Sequence, residues 1–254
     1  MSANESLKEQ VREHWEGEPC GVIHTDAVEG SSEFYDEIER RRDELEPFLP
    51  EIADFEGTRG LRLLEIGVGI GTDFIRFARA GALVTGVDLT DHAVALVRRR
   101  LELEGLEGDV RQADAEQLPF ADGSFDRVYS WGVLHHTPNT ERSVAEAVRV
   151  LAPDGRLVVM LYNRHSWVAL GLWVRRALLR GRPWQSLRHV LAHHLESPGT
   201  KGYTPAEAKV MFSGLEDLHI EVIGTSYDRF LAGPLGRLLP SRLGWFLVIR
   251  GRSR

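Results

Sequence analysis

Leu61-Arg62-Leu63-Leu64-Glu65-Ile66-Gly67-Val68-Gly69-Ile70-Gly71-Thr72 is the stretch from which the rest of the chain can be read. A short apolar run stops at three alternating glycines, after which Phe74, Ile75, Phe77 and Ala78 recur at helical spacing, so the segment predicts strand, glycine loop, helix. Outward from it the pattern repeats. Ala82 to Val87 is a second apolar run ending in Asp88, and Ala93, Leu96, Val97 and Leu101 mark a helix face that Gly105 closes. Asp109 to Ala113 and Phe125 to Ser130 follow, then the helix of Val144, Ala147, Val148 and Leu151, then Gly155 to Leu161. Leu218 to Tyr227 and Gly244 to Ile249 are the last two runs. A Pro- and Gly-containing connection, Ala232 to Leu243, joins them without a strong helix and predicts an antiparallel pair at a sheet edge. The expectation is an α/β chain with a doubly wound, seven-stranded sheet, mostly parallel with an antiparallel edge strand.

Composition bounds the function. The chain has 254 residues, 43% hydrophobic and 27% charged, enough for one full core without a disulfide or structural metal. Cys20 is the only cysteine, which excludes an intrachain disulfide and fits a reducing compartment. MSANESLKEQVREHW has no apolar core behind a basic start, and no run approaches the roughly 20 apolar residues of a membrane helix, so a cytoplasmic protein is expected. A net charge of −7 repels phosphate backbones, which makes nucleic acid an unfavoured partner.

The glycine loop lets backbone approach a ligand and aims helix amides at it. Thr72 stands where the nicotinamide fingerprint needs its third glycine, whereas Asp88, at the tip of the second strand, is placed for a ribose diol. Leu64 to Thr72, Val87-Asp88-Leu89 and Ala113-Asp114-Ala115-Glu116-Gln117-Leu118-Pro119-Phe120 together resemble the motifs of class I S-adenosylmethionine-dependent methyltransferases. Phe125 to Ser130, Leu134-His135-His136 and Leu151 to Leu157 continue the resemblance over about residues 60 to 162. It is most similar to the small-molecule branch typified by ubiquinone and menaquinone biosynthesis C-methyltransferases, and implies a Rossmann-like fold.

The resemblance implies that Gly67, Gly69 and Gly71 line the methionine part of S-adenosylmethionine, with Glu65 holding the loop or reaching the amino group indirectly. Asp88 would take the ribose hydroxyls, since a carboxylate accepts two hydroxyl hydrogen bonds at once. Leu89 would face the adenine, Asp114 accept from its amino group, and the Ala115 amide donate to a ring nitrogen. Trp131 falls where the chain passes the methyl donor, with core packing as the equal alternative.

A sulfonium methyl is already activated, so transfer needs mainly a positioned, desolvated nucleophile. His135 and His136 are the candidates for a general base, and a polar helix start packed beside the cofactor is the competing reading. Tyr162 and Asn163, at the rim of the fifth strand, are expected to contact substrate. The fourth strand ends in Ser130-Trp131-Gly132-Val133, without the Asn/Asp-Pro-Pro-Tyr/Phe of amide and exocyclic nitrogen methylation. Acids expected of a metal-dependent catechol enzyme are replaced by Trp131 and Asn163, so no metal is expected. His189, His193 and His194 share a helix face, but only Glu196 offers a carboxylate nearby.

The resemblance implies that substrate selection falls to the segments outside the core. Residues 1 to 58 read as a helical cap, with His14, Trp15, Pro19, Cys20, Gly21 and Phe34-Tyr35 able to fold over the site, so Trp15 and Tyr35 are substrate-contact candidates. Arg42, Glu46 and Pro47 recur in a bacterial subgroup of the resembled enzymes, without an assigned role. Residues 59 to 254 form the methyltransferase domain, interrupted at about 164 to 203 by a helical insertion with six arginines and one acid, Glu196, up to Thr200. Its stripe of Trp167, Leu170, Trp173, Val174, Ala177 and Leu178 reads first as a lid over an apolar substrate. Contact of 164 to 180 with an anionic membrane surface is the less favoured reading. The expected activity is methyl transfer from S-adenosylmethionine to a small, partly apolar metabolite. The alternatives are methylation of a protein or nucleic acid, and a cofactor-binding module without turnover.

Overall fold

Short, near-continuous apolar runs produce a sheet buried on both faces. A computed structural model of the chain describes residues 3–17, 19, 22, 25–228 and 241–254. Cys20, Gly21 and most of the 232–243 connection lie outside the described residues. The strands are β1 (Arg62–Ile66), β2 (Leu83–Asp88), β3 (Asp109–Gln112), β4 (Phe125–Trp131), β5 (Leu151–Tyr162), β6 (Glu216–Ile223) and β7 (Phe246–Arg252). Their order is β3-β2-β1-β4-β5-β7-β6. β3, β2, β1, β4 and β5 pair in parallel, and β7 runs antiparallel to both β5 and β6. The antiparallel pair is at the sheet edge, with the reversed strand β7 one position inside it.

Neighbouring residues in the strands join opposite cores, as the pleat requires. Leu63, Tyr129 and Val158 pack on one face, and Leu64, Val128 and Val159 on the other. The helices that cover them are α1 (Ala3–Gly17), α2 (Ser32–Leu45), α3 (Leu49–Ala53), α4 (Thr72–Arg79), α5 (Asp91–Glu104), α6 (Thr140–Arg149), α7 (Trp167–Arg176), α8 (Leu187–His194) and α9 (Pro205–Met211). Gly105 ends α5 in the left-handed region at φ 63°, and Thr204 with Glu207 forms the capping box that opens α9. β6 stops at Ile223, short of the expected Tyr227. The Asp228 carboxylate draws the chain off the edge by accepting from the Thr225 and Trp245 amides at 2.7 and 3.1 Å.

Two additions flank this sheet. α1 and α2 lie before β1, with α1 against α5 and α2 against α4 and α5. α7 and α8 pack on each other between β5 and α9, where Glu207 holds Arg164 and Arg188 at the insertion's base. No helix among the described residues is long and apolar enough to cross a membrane.

Candidate active site

The carboxyl ends of β1, β2, β4 and β5 open into one cavity of about 510 Å³, floored by the glycine loop and roofed by α1, α2 and the insertion. Parallel strands deliver all their tips to this edge, which is why it collects the polar groups. Gly67 and Gly69 line it with φ of 81° and 51°. A Cβ on Gly67 would stand 2.2 Å from a Val133 methyl, so no side chain fits there. Over Gly69 there is open space, and the left-handed backbone alone calls for glycine. Gly71 sits behind the cavity, packed on Val97 and starting α4.

Asp88 stands at the floor's centre. Its Oδ2 accepts from Gly69 N at 3.0 Å, and its Oδ1 accepts from Thr90 N at 3.0 Å and Thr90 Oγ1 at 2.8 Å. Burial pushes its carboxyl up while these donors pull it down, with burial prevailing. The Leu89 amide also faces it, so the carboxylate's roughly four acceptor sites are all engaged and incoming hydroxyls must displace donors such as Thr90 Oγ1. Leu89, Ala115 and Asp114 also line the cavity. Asp114 is engaged from above: Lys8 of α1 donates to its Oδ2 at 2.5 Å and to Glu116 Oε2 at 3.0 Å, so the expected adenine acceptor is also the latch of the roof.

At the opposite end of the loop, three acids meet one guanidinium. Arg42 of α2 donates to Asp73 Oδ2 at 2.9 Å, where Tyr129 also donates at 2.8 Å, and lies 3.6 Å from Glu46 Oε2. Glu46 accepts from the Trp131 indole at 2.9 Å, which fixes that ring in the cavity wall, stacked on Tyr129. Trp131 is thereby both a core residue and part of the cavity lining. Burial and the neighbouring Asp73 hold the Glu65 carboxyl well above its usual range, and burial does the same more mildly to Glu46. Glu65 Oε2 and Asp73 Oδ1 are buried without a hydrogen-bond partner among the described residues.

The roof brings distant residues onto His136. Its Nδ1 lies 2.9 Å from Ser197 Oγ and 3.0 Å from Thr200 Oγ1, and its Nε2 lies 3.3 Å from Glu196 Oε2. Tyr162 donates to both Glu196 oxygens at 3.0 Å, and Trp15 of α1 meets the His136 ring edge-on at 5.3 Å between centroids. Glu196 is held at φ 41°, a left-handed backbone that is strained for a glutamate. Trp15, Tyr162, Glu196 and His136 all line the cavity, together with the apolar Trp245, Phe246, Val168 and Leu195.

Besides Gly71, three expected site residues are placed elsewhere. His135 is fully buried behind the wall, its ring 4.0 Å from that of Tyr162, and both nitrogens lack partners among the described residues. Desolvation pushes its pKa well below the ordinary value, so it is a neutral packing residue rather than a base. Tyr35 donates to Leu96 O at 2.7 Å beneath the Arg100 guanidinium and does not reach the cavity. Asn163 is spent on backbone, donating to Gly244 O at 2.9 Å and accepting from His165 N at 3.1 Å, which ties the end of β5 to the approach to β7. Conversely, sequence reasoning gave no site role to Lys8, Arg42, Glu46 or Glu196, because their partners lie far away in the chain. Among the described residues no group of three or more His, Cys, Asp or Glu is arranged to hold a metal ion. His189 and His193 stack on each other instead.

A family described as a methyltransferase domain matches residues 64–159. A demethylmenaquinone methyltransferase of Thermus thermophilus is 36% identical over 125 residues, 48% of this chain and 57% of its own length. An uncharacterised protein of Mycobacterium tuberculosis is 31% identical over 192 residues, 73% of this chain and 65% of its own. The chain spans between 37% and 57% of the length of three of the curated relatives it matches. Among solved structures, an S-adenosylmethionine dependent methyltransferase from Mesorhizobium loti aligns with a TM-score of 0.58 at 20% identity, covering 80% of this chain and 96% of that one, a likeness of fold. By its matched domain, its strand order and its glycine-loop floor, the chain belongs to the class I S-adenosylmethionine-dependent methyltransferases.

Proposed function

We propose that this protein transfers the methyl group of S-adenosylmethionine to a small, partly apolar acceptor whose reacting atom carries a proton. The observation that carries the reading is the His136–Glu196–Tyr162 group facing the same cavity as Asp88 and the glycine loop. The residues present suit the cofactor. Glu65 Oε2 and Asp73 Oδ1 are buried acceptors in want of a donor, which an ammonium group would satisfy, and Arg42 beside them is the cation for a carboxylate. Asp88 would hold the ribose, and Asp114 and Ala115 the adenine edge under Lys8. Bound there, the cofactor supplies an activated methyl open to in-line displacement.

The protein's own contribution is placement, dryness and proton removal. Trp15, Trp131, Trp245 and Phe246 give the acceptor an apolar wall, and α1 shuts out water through Lys8 and Trp15. His136 and Glu196 take the proton that leaves the acceptor, and Tyr162 and Ser197 hold the pair in place. The relative named for demethylmenaquinone supports an acceptor with apolar bulk. Incubation with tritiated-methyl S-adenosylmethionine and bacterial extract tests the reading. Label is expected in the small-molecule filtrate or the lipid extract, and label confined to protein or nucleic acid would overturn it.

A further inference from the structure

α7 and α8 form a hairpin whose open end lines the cavity through Val168, Leu195 and Glu196. Its closed end, about 15 Å away along the ten residues of α7, carries the segment Leu178-Leu179-Arg180-Gly181-Arg182-Pro183-Trp184, exposed at every position. Leu179 and Trp184 are 75% and 77% exposed, among the most solvent-accessible large apolar residues described. The segment is nevertheless firmly built: Gly181 N donates to Leu178 O at 3.0 Å, Arg182 N to Ala177 O at 2.9 Å, and the Trp173 indole to Gln185 O at 2.7 Å. Isolated exposed leucines need no explanation, but two leucines and a tryptophan on one tight turn do.

Charge narrows the partner. Arg175, Arg176, Arg180 and Arg182 surround this turn, and among the described residues no carboxylate pairs with any of them, whereas the arginines at the hairpin's base are neutralised by Glu207. These guanidinium groups gather on one turn of a chain whose net charge is −7. Apolar side chains projecting beyond a ring of guanidinium groups match a bilayer interface, where a tryptophan and leucines enter the acyl boundary and arginines remain with anionic headgroups. An acidic protein would satisfy the charges but would not call for a protruding Leu-Leu and Trp on so small a turn.

We infer that residues 175–184 dock this protein on the surface of an anionic phospholipid bilayer. The reading is independent of the acceptor's identity, because the turn lies away from the cavity. Sedimentation with phosphatidylcholine vesicles, with and without phosphatidylglycerol, tests it on the full chain. The protein is expected to pellet with the anionic vesicles and to stay largely in solution with phosphatidylcholine alone. Arg180→Ala with Arg182→Ala should weaken partitioning about 30-fold, from the attraction of two basic groups near the surface. Leu179→Ser with Trp184→Ser should weaken it at least tenfold. Affinity for S-adenosylhomocysteine should be unchanged in both double variants, which separates this test from that of the cofactor site. A protein that stays in solution with both vesicles, or partitions equally to both, would overturn the inference. Anionic binding that survives loss of Leu179 and Trp184 would also overturn it, since it would identify a polyanion site without membrane insertion.

Discussion

The floor and the roof of the cavity are built by different means. The floor is backbone: β1, β2 and β4 end side by side, Gly67 and Gly69 bend in the left-handed region, and Asp88 is fixed by amides only two and nineteen residues away. The roof is side chain: Lys8 to Asp114, Glu46 to Trp131 and Glu196 to His136 each join residues at least sixty positions apart. Backbone geometry restricts which residues can occupy a position, and so leaves a pattern in sequence. A long-range ion pair restricts only charge, and leaves none. The comparison implies that floor substitutions weaken cofactor binding whatever the acceptor, while substitutions in the His136 group under the insertion change turnover with cofactor binding intact.

The largest effect is expected at the roof. His136→Gln should lower kcat by about 10²–10⁴-fold on the acceptor that the label experiment identifies, with S-adenosylhomocysteine affinity nearly unchanged in calorimetry. A parallel loss of affinity would show that His136 belongs to the floor and would collapse the distinction. Next is Asp88→Ala, which removes a carboxylate that meets ligand and loop together. It should weaken S-adenosylhomocysteine by roughly 100-fold, at about 1.5–3 kcal/mol for each charged hydrogen bond, while circular dichroism stays native. Unchanged affinity would sink the assignment of the ribose end.

This division explains what the sequence disclosed. The seven strands, the glycine loop and Asp88 were legible because a parallel sheet buried on both faces demands short, near-continuous apolar runs, and Gly67 admits no Cβ. His135 and His136 were not separable. The two rings lie 4.3 Å apart in one turn, and which of them faces the cavity depends on Tyr162 covering one and Ser197 and Glu196 receiving the other. Asn163 misled because its place at a strand tip suggests ligand contact, whereas its amide closes the backbone of the neighbouring strand. Trp131 stood between core and site and occupies both. Trp131→Phe should therefore act on stability first: it strips the buried Glu46 carboxylate of its indole donor, costing about 1–3 kcal/mol, or roughly 2–10 °C in Tm by calorimetry. A Tm within a degree of the parent would mean that Arg42 alone satisfies Glu46, and that the wall does not depend on the cap.

The gentlest probe concerns how α1 stays on the roof. His92, at the start of α5, donates its amide to Glu16 Oε1 at 3.2 Å, and its ring nitrogens lie 3.0 Å from Glu16 O and 2.9 Å from Glu29 Oε1. The Glu16 carbonyl, followed by the Glu29 carboxylate, raises the His92 pKa above its usual 6.5. A group raised on folding stabilises fully below its unfolded pKa, and that contribution is lost as pH climbs through the folded value. α1 should accordingly be held most firmly below about pH 6.5 and loosen above neutrality. The imidazole is 28% exposed, so the change is no more than about 1 kcal/mol, or roughly fivefold in an opening equilibrium. Since α1 carries Lys8 and Trp15 over the cavity, the dissociation rate of S-adenosylhomocysteine should rise by up to that factor between about pH 6 and 8, measured by stopped flow. His92→Gln should flatten the profile without touching the floor. A rise that persists in His92→Gln would assign the pH sensitivity to the floor itself, and the roof would then not be the gate.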